Sequence, residues 1–215
     1  MSNVQVNQKI IILGGGTAGW MAANLMATHW IEKGIEITLV ESPHIGTVGV
    51  GEGSTPPLKH FMETIGADEA EWMKACNATY KVGIDFRNWS TKPGFERYIH
   101  PFLSQPDEFT APAFFYNSLL RRKGIDLEGH PDHFFLASHL VNNKLSPKAP
   151  ANFPFEINYG YHFDSGLLGK YLHKHAEKKG VRYQKATISD VVLANNGNIQ
   201  HLISDTGEQL SADIF

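Results

Sequence analysis

The sequence predicts an α/β fold, and three observations do so. Residues 9–41 run strand, glycine turn, helix and strand; residues 165–185 repeat helix and strand; residues 187–215 hold three short apolar runs. The first run, Ile10, Ile11, Ile12 and Leu13, is apolar on both faces, as a strand covered by helices on both sides must be. Gly14-x-Gly16-x-x-Gly19 follows it directly. Gly14 permits a tight turn, Gly16 lets backbone approach a pyrophosphate, and Gly19 lets the helix lie close to the sheet. The pyrophosphate would rest on the helix N-terminus, where free amides and the helix dipole favour an anion. The second strand closes on Glu41, placed to accept hydrogen bonds from a ribose diol. A glycine turn alone is weak evidence. The whole run from strand to acid reads as a dinucleotide-binding unit.

The next segment, residues 46–53, holds four glycines and can run its backbone close against a planar or phosphorylated ligand. Thr55 is placed as an N-cap, with Pro56 at the first position of a helix that runs through Phe61 and Met62 and stops at Gly66. Asp68 and Glu71 form a capping-box pattern that opens a second short helix to Ala75. Residues 79–89 read as one strand, with Tyr80, Val82, Ile84 and Phe86 on one side and Lys81, Asp85 and Arg87 on the other.

From about residue 90 to 161, prolines break the pattern into loops, with a helix expected over residues 113–122. Long aromatic loops of this kind usually cover a site. Asp164 then caps a helix over residues 165–179, ended by Gly180. A strand follows over residues 181–185. Three more are expected at about 187–194, 198–204 and 208–215, turned at Asn195-Asn196-Gly197 and Asp205-Thr206-Gly207.

Bulk properties narrow the function. The 215 residues suffice for one large domain or one and a half, and 19 Lys plus Arg against 22 Asp plus Glu give a net charge of -3. No basic field points to nucleic acid or an acidic membrane. The lone Cys76 forms no internal disulfide, which fits a reducing compartment. No apolar run approaches the ~20 residues that span a bilayer, and a signal peptide has no room before the first strand. A cytoplasmic protein without membrane or nucleic-acid partners is expected. The final Ser211-Ala212-Asp213-Ile214-Phe215 reads as the opening of a buried strand, so a longer protein cut short is expected.

The parallel unit, the later helix and strand and the terminal meander together resemble the two-part FAD domain of flavoprotein monooxygenases: a Rossmann-like fold with a β-meander, truncated before the last parallel strand. More specifically, the chain resembles the N-terminal portion of the flavin-dependent tryptophan halogenases. The resemblance rests on GGGTAGW (residues 14–20), VGVGEGSTP (48–56), CNATYKVGIDFRNW (76–89) and YHFDSGLLGKYLHKHAEKKGV (161–181). It implies three segments: residues 1–89, the first part of the FAD domain; 90–160, an insertion near substrate and flavin; and 161–215, the second part. Gly14, Gly16, Thr17, Ala18, Gly19 and Glu41, with Val50, Gly51, Glu52 and Gly53, would hold the cofactor.

The resemblance further implies FAD supplied already reduced by a separate NAD(P)H-dependent flavin reductase, with oxygen and chloride or bromide as co-substrates. Hypohalous acid would pass through an internal tunnel to an aromatic substrate, tryptophan or another indole. Lys81 is similar to the family's catalytic lysine. A homodimer of the full-length protein is left open. The catalytic glutamate and the Trp-x-Trp-x-Ile-Pro segment of the family do not occur within residues 1–215, so this piece alone is expected not to halogenate and to bind FAD weakly.

Plainer readings stand beside these. Lys81, Asp85 and Arg87 on one strand face are by pattern alone a solvated set, and Glu52 can be a loop carboxylate near a helix start. His130-x-x-His133 and His173-x-His175 lack a third ligand at zinc-like spacing, so no metal is expected. Trp20, Trp30, Trp72 and Trp89 read as packing residues, and Ser54 lacks the surroundings of a nucleophile elbow. The alternatives are a hydroxylating flavin monooxygenase and a non-catalytic module on an inactivated flavin fold. A nicotinamide dehydrogenase, third, is disfavoured by the meander.

Overall fold

The computed structural model describes residues 8–46 and 49–215; Thr47 and Val48, where the expected VGVGEGSTP segment begins, lie outside the described residues. In chain order the elements are β1 (Lys9–Leu13), α1 (Thr17–Trp30), β2 (Glu36–Glu41), β3 (Gly51–Gly53), α2 (Pro57–Thr64), α3 (Glu69–Ala75), β4 (Thr79–Lys81), β5 (Gly83–Arg87), β6 (Arg97–Pro101), α4 (Ala111–Arg122), α5 (Leu136–Asn142), β7 (Gly160–Asp164), α6 (Ser165–Lys178), β8 (Arg182–Lys185), β9 (Ile188–Leu193), β10 (Ile199–Ser204) and β11 (Gln209–Leu210). Among the described residues no helix is long and apolar enough to cross a membrane. The chain forms two compact units, one from Met1–Glu52, Phe61–Ala78 and Phe163–Phe215, the other from Gly53–His60 and Thr79–His162.

The first unit is Rossmann-like. Its sheet has the order β1-β2-β8, and both pairings are parallel. Helix α1 packs through Gly19 on the Leu39 face, where an added β-carbon would lie 1.9 Å from the Gly14 carbonyl oxygen and 3.7 Å from Leu39 Cδ1. Helix α6 packs against α1 around Asn24, which is fully buried: its Nδ2 donates to the carbonyls of Trp20 (2.8 Å) and Leu172 (2.9 Å), and its Oδ1 faces His175 Nδ1 at 2.9 Å. The opposite sheet face is covered by the meander rather than by more helices, with Ile11 and Val40 packed on Leu202 and Leu210. Both faces of β1 and β2 are thus buried, by different kinds of element.

Helix ends follow the sequence closely. Asp68 accepts from the Glu71 N–H at 2.8 Å at the start of α3, and Asp164 accepts from the Leu167 N–H at 2.9 Å at the start of α6, each satisfying an amide that has no partner within the helix. The last expected strand differs. Only β11 pairs in the meander, and after it Ile214 forms an isolated parallel bridge with Ile10. Asp213 makes the break: its carboxylate accepts from the Lys9 N–H at 2.7 Å and its own N–H donates to the Lys9 carbonyl at 2.9 Å.

In the second unit the single strand expected over residues 79–89 is two. β4 pairs antiparallel with β7 (Thr79↔His162, Lys81↔Gly160), whereas β5 pairs antiparallel with β6 (Ile84↔His100, Phe86↔Tyr98). The alternation continues through Val82 but the pairing partner changes. The proline-rich region is also more regular than expected, with β6 and α5 in addition to the expected α4. Two carboxylates hold it: Asp107 accepts from the backbone N–H of Ser104 (2.7 Å) and Leu136 (2.8 Å), and Asp132 from that of Ile99 (2.9 Å).

Of the four tryptophans, Trp20 and Trp72 are core residues, as expected. Trp30 and Trp89 are not; Trp89 is 64% exposed and stands edge-on to Phe86 at 5.3 Å. Burial pushes the Cys76 thiol up to about 11, leaving it an inert packing group.

Candidate functional site

A cleft of about 570 Å³ opens at the C-terminal ends of the parallel strands of the first unit, where ligands bind in folds of this kind. Leu13, the 14–18 turn, Glu41, Ser42, Ile45, Glu52 and the Ala186–Ile188 strand start line it. Leu13 is 54% exposed because it faces this cleft. The turn is built as its glycines require. Gly14 has φ +121°, which side chains other than hydrogen disfavour, and Gly19 of α1 packs against its carbonyl. Gly16 is the N-cap of α1, with no side-chain hydrogen bond capping the first turn and no atom within 4 Å of where a β-carbon would point. Uncapped amides and open space at a helix N-terminus suit an anion. These features fit the pyrophosphate of FAD.

Glu41 lies over the turn. A β-carbon at Gly15 would stand 2.1 Å from Glu41 Cδ, and Glu41 Oε2 accepts from the Tyr183 hydroxyl at 2.8 Å. Ser42 Oγ and Thr187 Oγ1 close the far wall at 2.9 Å. Of the residues singled out in the sequence, the cleft brings together Gly14, Gly16, Thr17, Ala18, Glu41 and Glu52. Gly19 supports it from below, and Val50, Gly51 and Gly53 are not among its lining. Val50 instead accepts from the backbone N–H and hydroxyl of Ser165 (3.2 and 2.7 Å), which pins this loop to the start of α6. Gly15, Tyr183 and Thr187 were missed. Gly15 is visible as the middle glycine of the run, but Tyr183 and Thr187 join the site only through the pairing of β8 with β2.

The second unit holds Lys81. Its Nζ stands beside Gly53, where a β-carbon would meet it at 3.0 Å and would meet His162 Cδ2 and Nε2 at 3.1 and 3.4 Å. Nζ also lies 5.6 Å from the centre of the Phe102 ring, a cation–π contact. Burial, and secondly the Lys81 charge, hold the His162 imidazole below its ordinary pKa. Lys81 is separated from Asp85 by the change of strand partner. Asp85 is taken up by Arg87 and Arg97, each at 2.7 Å, so the three residues do not form one solvated charge set.

The histidines singled out in the sequence have structural partners, His130 through its Nε2 and the Arg97 carbonyl at 3.0 Å. His133 pairs with Glu128 at 2.8 Å, His173 stacks on Trp20 at 4.1 Å, and His175 meets Asn24. Ser54 accepts from the Tyr161 N–H at 3.0 Å.

Residues 9–215 match the family model described as tryptophan halogenase. The chain is 34% identical over 229 residues to the 7-chloro-L-tryptophan 6-halogenase KtzR of Kutzneria sp. (strain 744), with 96% of this chain and 43% of the relative covered. It is 33% identical over 225 residues to the tryptophan 7-halogenase RebH of Lentzea aerocolonigenes, covering 96% and 41%. Among solved structures, a flavin-dependent halogenase from Xanthomonas campestris superposes with a TM-score of 0.78 at 33% identity, covering 97% of this chain and 41% of that one. The chain therefore spans less than half the length of these relatives. With a family match running from the first strand to the last residue, the chain belongs to the tryptophan halogenase family.

Proposed function

We propose that the chain supplies the FAD-binding cleft and the catalytic lysine of a flavin-dependent halogenase acting on an aromatic substrate, tryptophan or another indole. The observation that carries this reading is that one family match takes in both the glycine-turn cleft and the strand bearing Lys81. Residues 1–89 and 161–215 act as the two parts of the FAD domain and 90–160 as the insertion near the substrate. The uncapped first turn of α1, with Gly14, Gly16, Thr17 and Ala18, holds the pyrophosphate, Gly19 lets that helix approach, and Glu41 takes the ribose diol. Glu52 and the segment Val50, Gly51 and Gly53 border the flavin end. Reduced FAD held there would supply two electrons to oxygen and the chloride or bromide two more, so that one oxygen atom would leave in hypohalous acid and the other as water.

Lys81 acts on that acid in one of two ways. As an ammonium it donates a hydrogen bond that makes the halogen more electrophilic. As a free amine its nitrogen attacks the halogen, the nitrogen–halogen bond forms as the oxygen–halogen bond breaks, and the displaced hydroxide takes the amine proton to give water. Confining the acid protects Met, Trp and Cys side chains from it. A separate NAD(P)H-dependent reductase supplies the reduced flavin, and the setting is cytoplasmic.

The test uses the intact enzyme with such a reductase, halide and indole substrates. Halide-dependent product that disappears in Lys81→Ala while flavin oxidation continues supports the reading. Oxygenated product with no halide dependence overturns it in favour of a hydroxylase.

A further inference from the structure

Glu41 is held from two sides by residues far from it in sequence. Below it, Gly15 has no β-carbon; one there would stand 2.3 Å from Glu41 Oε1 and 2.6 Å from Cγ. From the side, the Tyr183 hydroxyl donates to Oε2 at 2.8 Å. The tyrosine itself is fixed. Its backbone pairs with Leu39 in the β2–β8 ladder, and its ring packs on His173 at 4.4 Å and Trp20 at 5.7 Å. Trp20 is buried on α1 and stacks on His173 of α6. Both helices and both strands thus converge on the direction of one phenol.

We propose that Tyr183 is a positioning residue for Glu41, orienting the carboxylate so that Oε1 and the remaining lone pair of Oε2 face the vicinal hydroxyls of a bound ribose. This rests on the reading of the cleft as a nucleotide site. The chemistry follows from the inventory of donors. A carboxylate offers about four lone-pair sites; Tyr183 takes one, and no donor among the described residues reaches Oε1. A free glutamate side chain has rotamer freedom that a ligand must remove on binding. With one oxygen tied to a rigid phenol, that freedom is removed before the ribose arrives. Tyr183 serves only as a donor here, because burial first and then the Glu41 hydrogen bond push its hydroxyl up to about 12.

The experiment compares ADP with 2′-deoxy-ADP as calorimetric ligands of the intact protein, wild type against Tyr183→Phe and Glu41→Ala. The phenylalanine keeps the ring packing and removes only the donor. Wild type is expected to prefer ADP about tenfold, the worth of one hydrogen bond to a charged group. Glu41→Ala abolishes the preference, and Tyr183→Phe lowers it at least threefold with unchanged melting temperature. A preference lost in Glu41→Ala but intact in Tyr183→Phe overturns the positioning role and leaves the nucleotide site standing. ADP binding that is absent, or a preference untouched by Glu41→Ala, removes the nucleotide reading and the proposal with it. Gly15→Ala is the second variant: displacing the carboxylate from below should collapse the preference as Tyr183→Phe does, and an intact preference counts against Tyr183 as well.

Discussion

Lys81 Nζ and the His162 ring edge share the space left by one missing side chain, with a β-carbon at Gly53 lying 3.0 Å from the first and 3.1 Å from the second. Gly53→Ala therefore probes the site without removing the lysine. The crowded atoms are the far ends of flexible side chains, so folding should tolerate the methyl, with a stability change within about 1 kcal/mol. The ammonium must move by a fraction of an ångström, and misplacement of a reacting group by 1 Å can cost about 10²-fold. Product formation should fall about tenfold while flavin oxidation is unchanged. Unchanged product with the methyl in place would show that the exact seat of Nζ does not matter.

Lys81→Ala goes further. Under the proposed role, loss of the amine should lower product formation by about 10²-fold or more, with melting temperature little altered because the backbone pairing of Lys81 with Gly160 is kept. Lys81→Arg keeps the charge and cannot form a haloamine at neutral pH. Residual halogenation in the arginine variant would favour hydrogen bonding over covalent transfer; product at the wild-type rate in the alanine variant would remove Lys81 from the mechanism.

Gly16 and Gly19, three residues apart, should respond differently to the same methyl group. In Gly16→Ala the new carbon meets nothing within 4 Å, so melting temperature should hold while FAD affinity drops about tenfold, the methyl standing where pyrophosphate would approach. In Gly19→Ala the carbon would lie 1.9 Å from the Gly14 carbonyl oxygen. Backbone cannot step aside as a side chain can, so α1 must lift from the sheet at a cost of about 3 kcal/mol. Thermal melting and flavin titration of both variants check this. Equal stability of the two would contradict the close packing of α1.

The turn was legible in the sequence because its geometry is local: each glycine answers to neighbours within a few residues. The same holds for Asp68 and Asp164, whose carboxylates cap amides three residues on. What could not be read depends on distant partners. Residues 79–87 alternate without interruption, yet β4 follows β7 and β5 follows β6, and nothing in the period marks the change at Val82. Asp107 and Asp132 organise the proline-rich region through backbone groups 29 and 33 positions away, and Tyr183 reaches Glu41 across 142. Lys81 was singled out by resemblance, since strand periodicity alone assigned it to solvent.

Asn24 is fully buried and joins α1 to α6 by two hydrogen bonds, to the Leu172 carbonyl and the His175 ring, with a third back to the Trp20 carbonyl of its own helix. Asn24→Leu, similar in volume, would leave the Leu172 carbonyl and the His175 ring nitrogen without their partner. Each buried polar group so stranded costs about 1–3 kcal/mol, and a loss of about 2–4 kcal/mol is expected. Denaturant titration measures it; a loss under 1 kcal/mol would mean the pair of helices is held by apolar packing alone.

The same junction should make stability depend on pH. His175 faces Asn24 Oδ1, and since both Asn24 amide hydrogens go to carbonyls, the ring nitrogen at 2.9 Å must be the donor. Burial lowers the His175 pKa below its ordinary 6.5, with Lys179 and Lys178 adding to the effect and Glu71 and the Gly66 backbone opposing it. A histidine with a depressed folded-state pKa binds fewer protons folded than unfolded, so its contribution to stability is complete above pH 6.5 and is lost as pH falls from there through the folded value. Wild-type melting temperature should therefore drop between pH 7.5 and 5. His175→Asn keeps a neutral donor toward Asn24 and does not titrate, so its curve should be flatter over that interval. Parallel curves for the two proteins would place the acid sensitivity on other groups and remove His175 from the account.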